Sequence, residues 1–184
     1  MRPCAASQAA SPEVFTDPSC GLGFYAGWAL DLDNIDVEEI ATALADQTDY
    51  DHRWLFDPRA GEVVLWTSDT GIGGENPVGL DELDLILIEP LPSYIWYRDM
   101  ADFADGISDR AAGGRLSESL RGRGAFRRFK NELYGRHPEL ISVWQALANT
   151  RARVRAVHWL ADEGLVDEEA AHRFTSDNPE PALA

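Results

Sequence analysis

Three β-rich runs crowd into residues 53–88, and every periodic segment beyond residue 92 is helical. Arg53-Trp54-Leu55-Phe56 and Val63-Val64-Leu65-Trp66 flank Asp57-Pro58-Arg59-Ala60-Gly61-Glu62. Asp and Pro open a turn there, and Gly61 tolerates positive φ, so the two runs predict a hairpin. Leu83-Asp84-Leu85-Ile86-Leu87-Ile88 reads as a third strand, closed by Pro90 and Pro92. Strands segregated ahead of helices predict an α+β fold: an N-terminal helix and a small antiparallel sheet of about three strands, then a helical C-terminal half.

The helices follow from caps and spacing. Asp36 with Glu39 fits an N-cap with an acidic third position, starting a helix from Val37 to about Gln47 whose apolar face holds Ile40, Ala41 and Leu44. The connector 67–79, rich in Gly, Asp and Ser, reads as a flexible loop. Ser93 suits a cap for a helix carrying Tyr97, Met100, Ala104 and Ile107 on one face. Gly113 and Gly114 weaken a helix expected near Arg115–Leu120. Ala125 to Tyr134 forms the next, with Phe126, Phe129 and Leu133 as its core side. Pro138 opens a long helix ending before Gly164, with Leu140, Trp144, Leu147, Val154 and Leu160 inside. A short helix around Asp167–Phe174 closes the series. Regular structure is expected from about Trp28. Residues 1–23 read as a disordered leader, 24–175 as a single α+β domain and 176–184 as a disordered tail.

Charge divides the 184-residue chain, which carries a net −16. Up to Tyr97 three basic residues meet 18 acidic ones, whereas Arg110–Arg155 holds eleven basic and three acidic residues, a local +8. The overall acidity argues against a general nucleic-acid binder, while the local excess can make a steering patch. The apolar run 83–91, interrupted by Asp84 and Glu89, is too short to span a bilayer. The N-terminus has no apolar signal segment, and Cys4 and Cys20 lack ligand spacing. Free thiols in a reducing cytoplasm are the expectation.

Gly122-Arg123-Gly124-Ala125-Phe126-Arg127-Arg128-Phe129-Lys130 concentrates the positive charge. Backbone N–H groups beside Gly122 and Gly124 can face an anion, with Arg121, Arg123, Arg127, Arg128 and Lys130 supplying charge. The alternative is structural: Phe126 and Phe129 in the core, with the cations in solvent or against Asp99 and Asp102. No Lys-[Ser/Thr] ending follows, which disfavours a nucleotide loop. Arg151 and Arg155 share a helix face at i, i+4, and a solvated face is the simpler reading. Asp31, Asp33 and Asp36 superficially suggest a calcium loop, but Asp36 stands where glycine is needed, so capping explains them better. Asp81, Glu82 and Asp84 have no histidine nearby in sequence. The histidines at 52, 137, 158 and 172 form no metal or catalytic pattern, and neither cysteine has an evident base partner. No metal or cofactor is expected. One or two exposed Trp or Tyr side chains beside the basic block would favour stacking on a partner or on bases.

Several of these motifs recur as a set: Asp57-x-x-x-Gly61-Glu62-Val63, Tyr97-Arg98-x-Met100-x-Asp102-Phe103, the basic block, Pro138-Glu139-Leu140, Trp144, and Trp159-Leu160-x-x-x-Gly164. The series resembles the bacterial Uncharacterised Protein Family numbered zero-one-five-eight over roughly Trp28–Leu165, and the basic block is its specific part. Gly113-Gly114 and the Gly71-Ile72-Gly73-Gly74 connector depart from the family pattern and bear on local geometry. The family has no assigned reaction, so the resemblance supports fold boundaries and transfers no catalytic residue.

The leading functional expectation is a cytoplasmic, non-enzymatic binding or regulatory module. It would recognise an acidic protein or anionic ligand through Arg121, Arg123, Gly124, Arg127, Arg128 and Lys130. Nucleic-acid binding through the same patch is the runner-up, followed by an enzyme acting on a phosphorylated small molecule.

Overall fold

Asp36 accepts hydrogen bonds from the N–H groups of Glu38 and Glu39 at 3.0 and 3.1 Å, and so caps helix α1 (Val37–Ala45). The computed structural model describes residues 29–48, 51–72, 74, 80 and 83–183. The expected leader and Trp28 lie outside the described residues. A 3-10 turn (Leu32–Asn34) precedes α1, whose Ile40, Ala43 and Leu44 are fully buried. The helix stops two residues before Gln47, where Asp46 turns to extended backbone.

Strands β1 (His52–Asp57) and β2 (Glu62–Thr67) form the expected hairpin, with Leu55 opposite Val64 and Phe56 opposite Val63. Asp57 Oδ1 accepts from the Arg59 N–H at 2.8 Å, and Gly61 takes φ 73°, which closes the turn. Among the described residues the sheet has four strands, in keeping with a small antiparallel sheet of about three. Part of the connector read as a flexible loop, β3 (Gly71–Ile72), pairs with the end of β2 after a turn bridged by Thr67 and Thr70. Two-residue strands carry no period for a sequence to reveal. The expected third strand is confined to β4 (Ile86–Ile88), antiparallel to β1, giving the order β3-β2-β1-β4.

Among the described residues the elements that follow are helical: α2 (Ser93–Gly106), α3 (Arg110–Ser119), α4 (Ala125–Arg136), a 3-10 turn (Pro138–Leu140), α5 (Ile141–Asp162) and α6 (Glu168–Asp177). Pro92, not Ser93, occupies the N-cap of α2, without a side-chain cap bond. Helix α3 begins five residues before its expected start, because Asp109 caps it through the N–H groups of Ala111 and Ala112. Gly113 does not interrupt it: a Cβ there would lie 2.5 Å from the Ala104 carbonyl oxygen, so glycine lets α2 and α3 approach closely. Gly164 ends the α5 unit at φ 71°, with the Leu165 N–H donating back to the Leu160 carbonyl at 2.8 Å.

Among the described residues two apolar clusters result. One joins α1, the inner sheet face, the second half of α5 and α6, through Leu44, Phe56, Ile88, Val157 and Leu160. The other joins α2, α3, α4 and the first half of α5, through Phe103, Leu116, Phe129, Leu133 and Leu147. Phe103, Phe129 and Trp144 meet edge to face at centroid distances of 5.1–6.3 Å. Phe126 is not part of this core. The buried stripe of α4 is Ala125, Phe129 and Leu133, spaced i, i+4, i+8, and Phe126 falls 39% exposed at its margin. Trp144 and Val154 of the expected α5 stripe are half-buried. Residues 178–183, read as part of a disordered tail, lie against α2 and α5 through Leu183 and Glu180.

Candidate functional site

The basic block divides by role. Arg128 points back at the loop before its own helix: Nε donates to the Ser119 carbonyl at 3.0 Å, Nη1 to that of Arg123, and Nη2 to those of Arg121 and Gly122. One guanidinium therefore satisfies four carbonyls and holds the loop in shape. Gly122 and Gly124 give that loop its two positive-φ residues, at 76° and 73°. Arg121 pairs with Glu118 at 2.9 Å in solvent.

Arg123, Arg127 and Lys130 are exposed, and among the described residues none has an ion-pair partner. On α4 the side away from the Phe129 stripe holds Arg127, Lys130 and Tyr134, and Phe126 lies between that side and the stripe, with Phe126 39% and Tyr134 48% exposed. Two aromatic side chains thus stand at i and i+8 with Lys130 between them. The alternative pairing of these cations with Asp99 and Asp102 does not occur, because those carboxylates are engaged elsewhere.

Their partners are Arg151 and Arg155, which form an ion-pair network and not a solvated face. Asp99, only 3% exposed, accepts from Arg155 Nη1 and Nη2 at 2.7 and 2.6 Å and from Arg151 Nη1 at 3.0 Å. Arg151 also donates to Asp102 at 2.7 Å and, through Nε and Nη2, to both Glu180 oxygens at 2.7 and 3.0 Å. Glu180, then Asp102 and Asp99, outweigh burial and hold the Arg151 guanidinium protonated beyond arginine's ordinary range. Arg155 stacks over Trp96 at 5.0 Å. Sequence spacing placed Arg151 and Arg155 on one face, but their acidic partner lies more than 50 residues away and leaves no local signal.

A second polar cluster has no counterpart in the sequence motifs. Asp46 accepts from the Thr48 hydroxyl at 2.5 Å, from Trp54 Nε1 at 2.8 Å, and bonds His52 Nε2 at 2.8 Å. These bonds, the Thr48 hydroxyl foremost, then Trp54 and His52, hold its carboxyl well below the usual carboxylate range. His52 and Trp54 alternate along β1, so the strand period sets both beside the end of α1. Among the described residues no group of three or more His, Cys, Asp or Glu side chains is placed to hold a metal ion. No helix among them is long and apolar enough to cross a membrane.

The sequence matches the model of the Uncharacterised protein family UPF0158 over residues 34–172. The chain belongs to this family. A UPF0158 protein of Pseudomonas aeruginosa is 31% identical over 132 residues, covering 71% of this chain and 84% of the relative. No solved structure matches the chain. The matched region contains the basic block, the Asp99–Arg151–Arg155 network and the Asp46 cluster.

Proposed function

We propose that this UPF0158 chain is a binding module whose cationic edge, Arg123, Arg127 and Lys130, docks an acidic or anionic partner. The observation carrying this reading is that these three cations stay exposed without an ion-pair partner among the described residues, while Arg151 and Arg155 are engaged internally. Arg128 supports it from behind by holding the loop that carries Arg123. In a chain of net −16, a locally basic edge steers an acidic partner toward one orientation.

Nucleic acid is the second reading, favoured by Phe126 and Tyr134 beside Lys130. Exposed rings interleaved with cations suit stacked bases along a phosphate backbone. The phosphorylated-metabolite reading has less support: the clefts at Arg98–Glu180 and Asp46–Pro90 do not include the block.

Two probes separate the readings, a fluorescein-labelled polyglutamate and a labelled twelve-nucleotide polyuridine, each titrated by anisotropy at low and moderate salt. Binding of either is expected to weaken about tenfold or more in Arg123→Ala/Arg127→Ala/Lys130→Ala and to fall with salt. Polyuridine binding that also weakens about tenfold in Phe126→Ala selects nucleic acid. Neither probe binding at low salt, or a triple variant indistinguishable from wild type, overturns the proposal.

A further inference from the structure

Residues 178–183 cross the α2–α5 surface with a minimal set of anchors. Asn178 ends α6 by donating through Nδ2 to the Phe174 carbonyl at 2.9 Å, and Pro179 and Pro181 keep the following residues out of helix. Among the described residues, no backbone–backbone hydrogen bond involves 179–183. Two side chains hold the segment. Glu180 lies side-on against Arg151 with two bonds, and Leu183 packs on the α2–α4 core above Gly106. Leu183 Cδ1 sits 2.4 Å from where a Gly106 Cβ would be, so the missing side chain makes the notch that seats the leucine.

The receiving side is built with far more support than the segment it receives. Asp99 is nearly fully buried and orients both Arg151 and Arg155, and Asp102 fixes Arg151 further. Arg151 thus presents Nε and Nη2, the edge that matches a carboxylate in two parallel bonds. The arginine–aspartate network and residues 178–180 of the segment together wall a cleft of about 490 Å³ that extends to Thr150, Val154 and Thr175, where exposed Arg98 supplies a further cation. A rigid arginine fork, a leucine notch and an adjoining cleft are the parts of a peptide-recognition site.

We propose that this surface binds an acidic peptide segment of a partner protein, with a glutamate on Arg151 and a leucine three residues later at Gly106. Residues 178–183 are its built-in occupant. A segment held by one exposed carboxylate and one half-buried leucine, without backbone bonds, opens at low cost. A partner segment displaces it by repeating the same two contacts and adding an acidic residue toward Arg98. This site is separate from the cationic edge of α4, so the two proposals succeed or fail independently.

The test uses the full chain carrying Glu180→Gln/Leu183→Ala, which weakens the occupant and leaves the receiving residues intact. The probe is a capped Asn-Pro-Glu-Pro-Ala-Leu peptide, followed through the Arg151 Nε–H signal by NMR. The linker from α6 gives the tethered segment an effective concentration of about millimolar, so the peptide is titrated through that range. The variant is expected to bind the peptide about tenfold more tightly than wild type. Peptides with glutamine for glutamate, or alanine for leucine, are expected to bind the variant about tenfold more weakly. Should the double variant not fold, Glu180→Gln alone takes its place with the same expected order. No Arg151 response at millimolar peptide, equal affinity of wild type and variant, or equal affinity of the altered peptides overturns the proposal.

Discussion

Phe126 and Phe129 differ by three positions and by their whole environment. Phe129 is fully buried against Phe103 and Trp144, whereas Phe126 is 39% exposed. Phe129→Ala is therefore expected to cost about 3–5 kcal/mol in urea unfolding, and Phe126→Ala to stay within about 0.5 kcal/mol. Equal losses would mean that both rings share the core. Asp46 gives a second residue-scale prediction, with its sign set by a depressed carboxylate. Hydrogen bonds from Thr48, Trp54 and His52 hold its folded-state pKa below the unfolded value of about 4. Its stabilisation is fully present above that unfolded value and is lost as pH falls toward the folded one. The stability difference between wild type and Asp46→Asn should be largest near pH 7 and shrink progressively below about pH 4. A constant difference down to pH 2 would deny the depressed carboxyl. Neither local fact has a strong sequence signal. An i, i+3, i+7 pattern and an i, i+4, i+8 pattern overlap on one helix, and only packing against Phe103 selects between them.

Among the elements, α3 shows how one pair of glycines serves two ends. A Cβ at Gly113 would meet the Ala104 carbonyl at 2.5 Å, whereas one at Gly114 meets nothing within 4 Å. Alanine at either position gains helix propensity worth about 0.5–1 kcal/mol. At 114 that gain stands, and Gly114→Ala should stabilise by this amount. At 113 the backbone carbonyl cannot yield cheaply, so Gly113→Ala should destabilise by about 1–3 kcal/mol despite the better propensity. Thermal melts of the two variants should shift in opposite directions. The start of α1 was legible from its Asp36 cap, because a cap acts across three residues, whereas the Asp109 cap of α3 was passed over in favour of the Gly113-Gly114 pair. Strand β3 was not legible, since two residues paired to β2 derive their structure from a partner and not from their own order.

Across the whole molecule, α5 is the shared wall of both apolar clusters. Leu147 belongs to the helical cluster, and Leu160 to the one containing the sheet; both are fully buried. Leu147→Ala and Leu160→Ala should each cost about 2–5 kcal/mol and lower a single calorimetric transition. Two separated transitions in either variant would show that the halves unfold independently. Charge follows the same division of scales. The excess of cations between Arg110 and Arg155 is written in the sequence, but their fates are not: Arg128 binds carbonyls, Arg151 and Arg155 bind Asp99, and Arg123, Arg127 and Lys130 remain outside. By itself the sequence determined the α+β class, the hairpin, the Asp36-capped helix and the membership in UPF0158, because periodicity, caps and turn residues act over a few positions. The tertiary structure alone decided which cations are available, that residues 178–183 lie in an arginine-built seat, and that Gly113 is a point of contact. Those outcomes depend on residues from 9 positions apart, Ala104 and Gly113, to 77 apart, Gly106 and Leu183, meeting in space, and chain order does not encode such meetings locally.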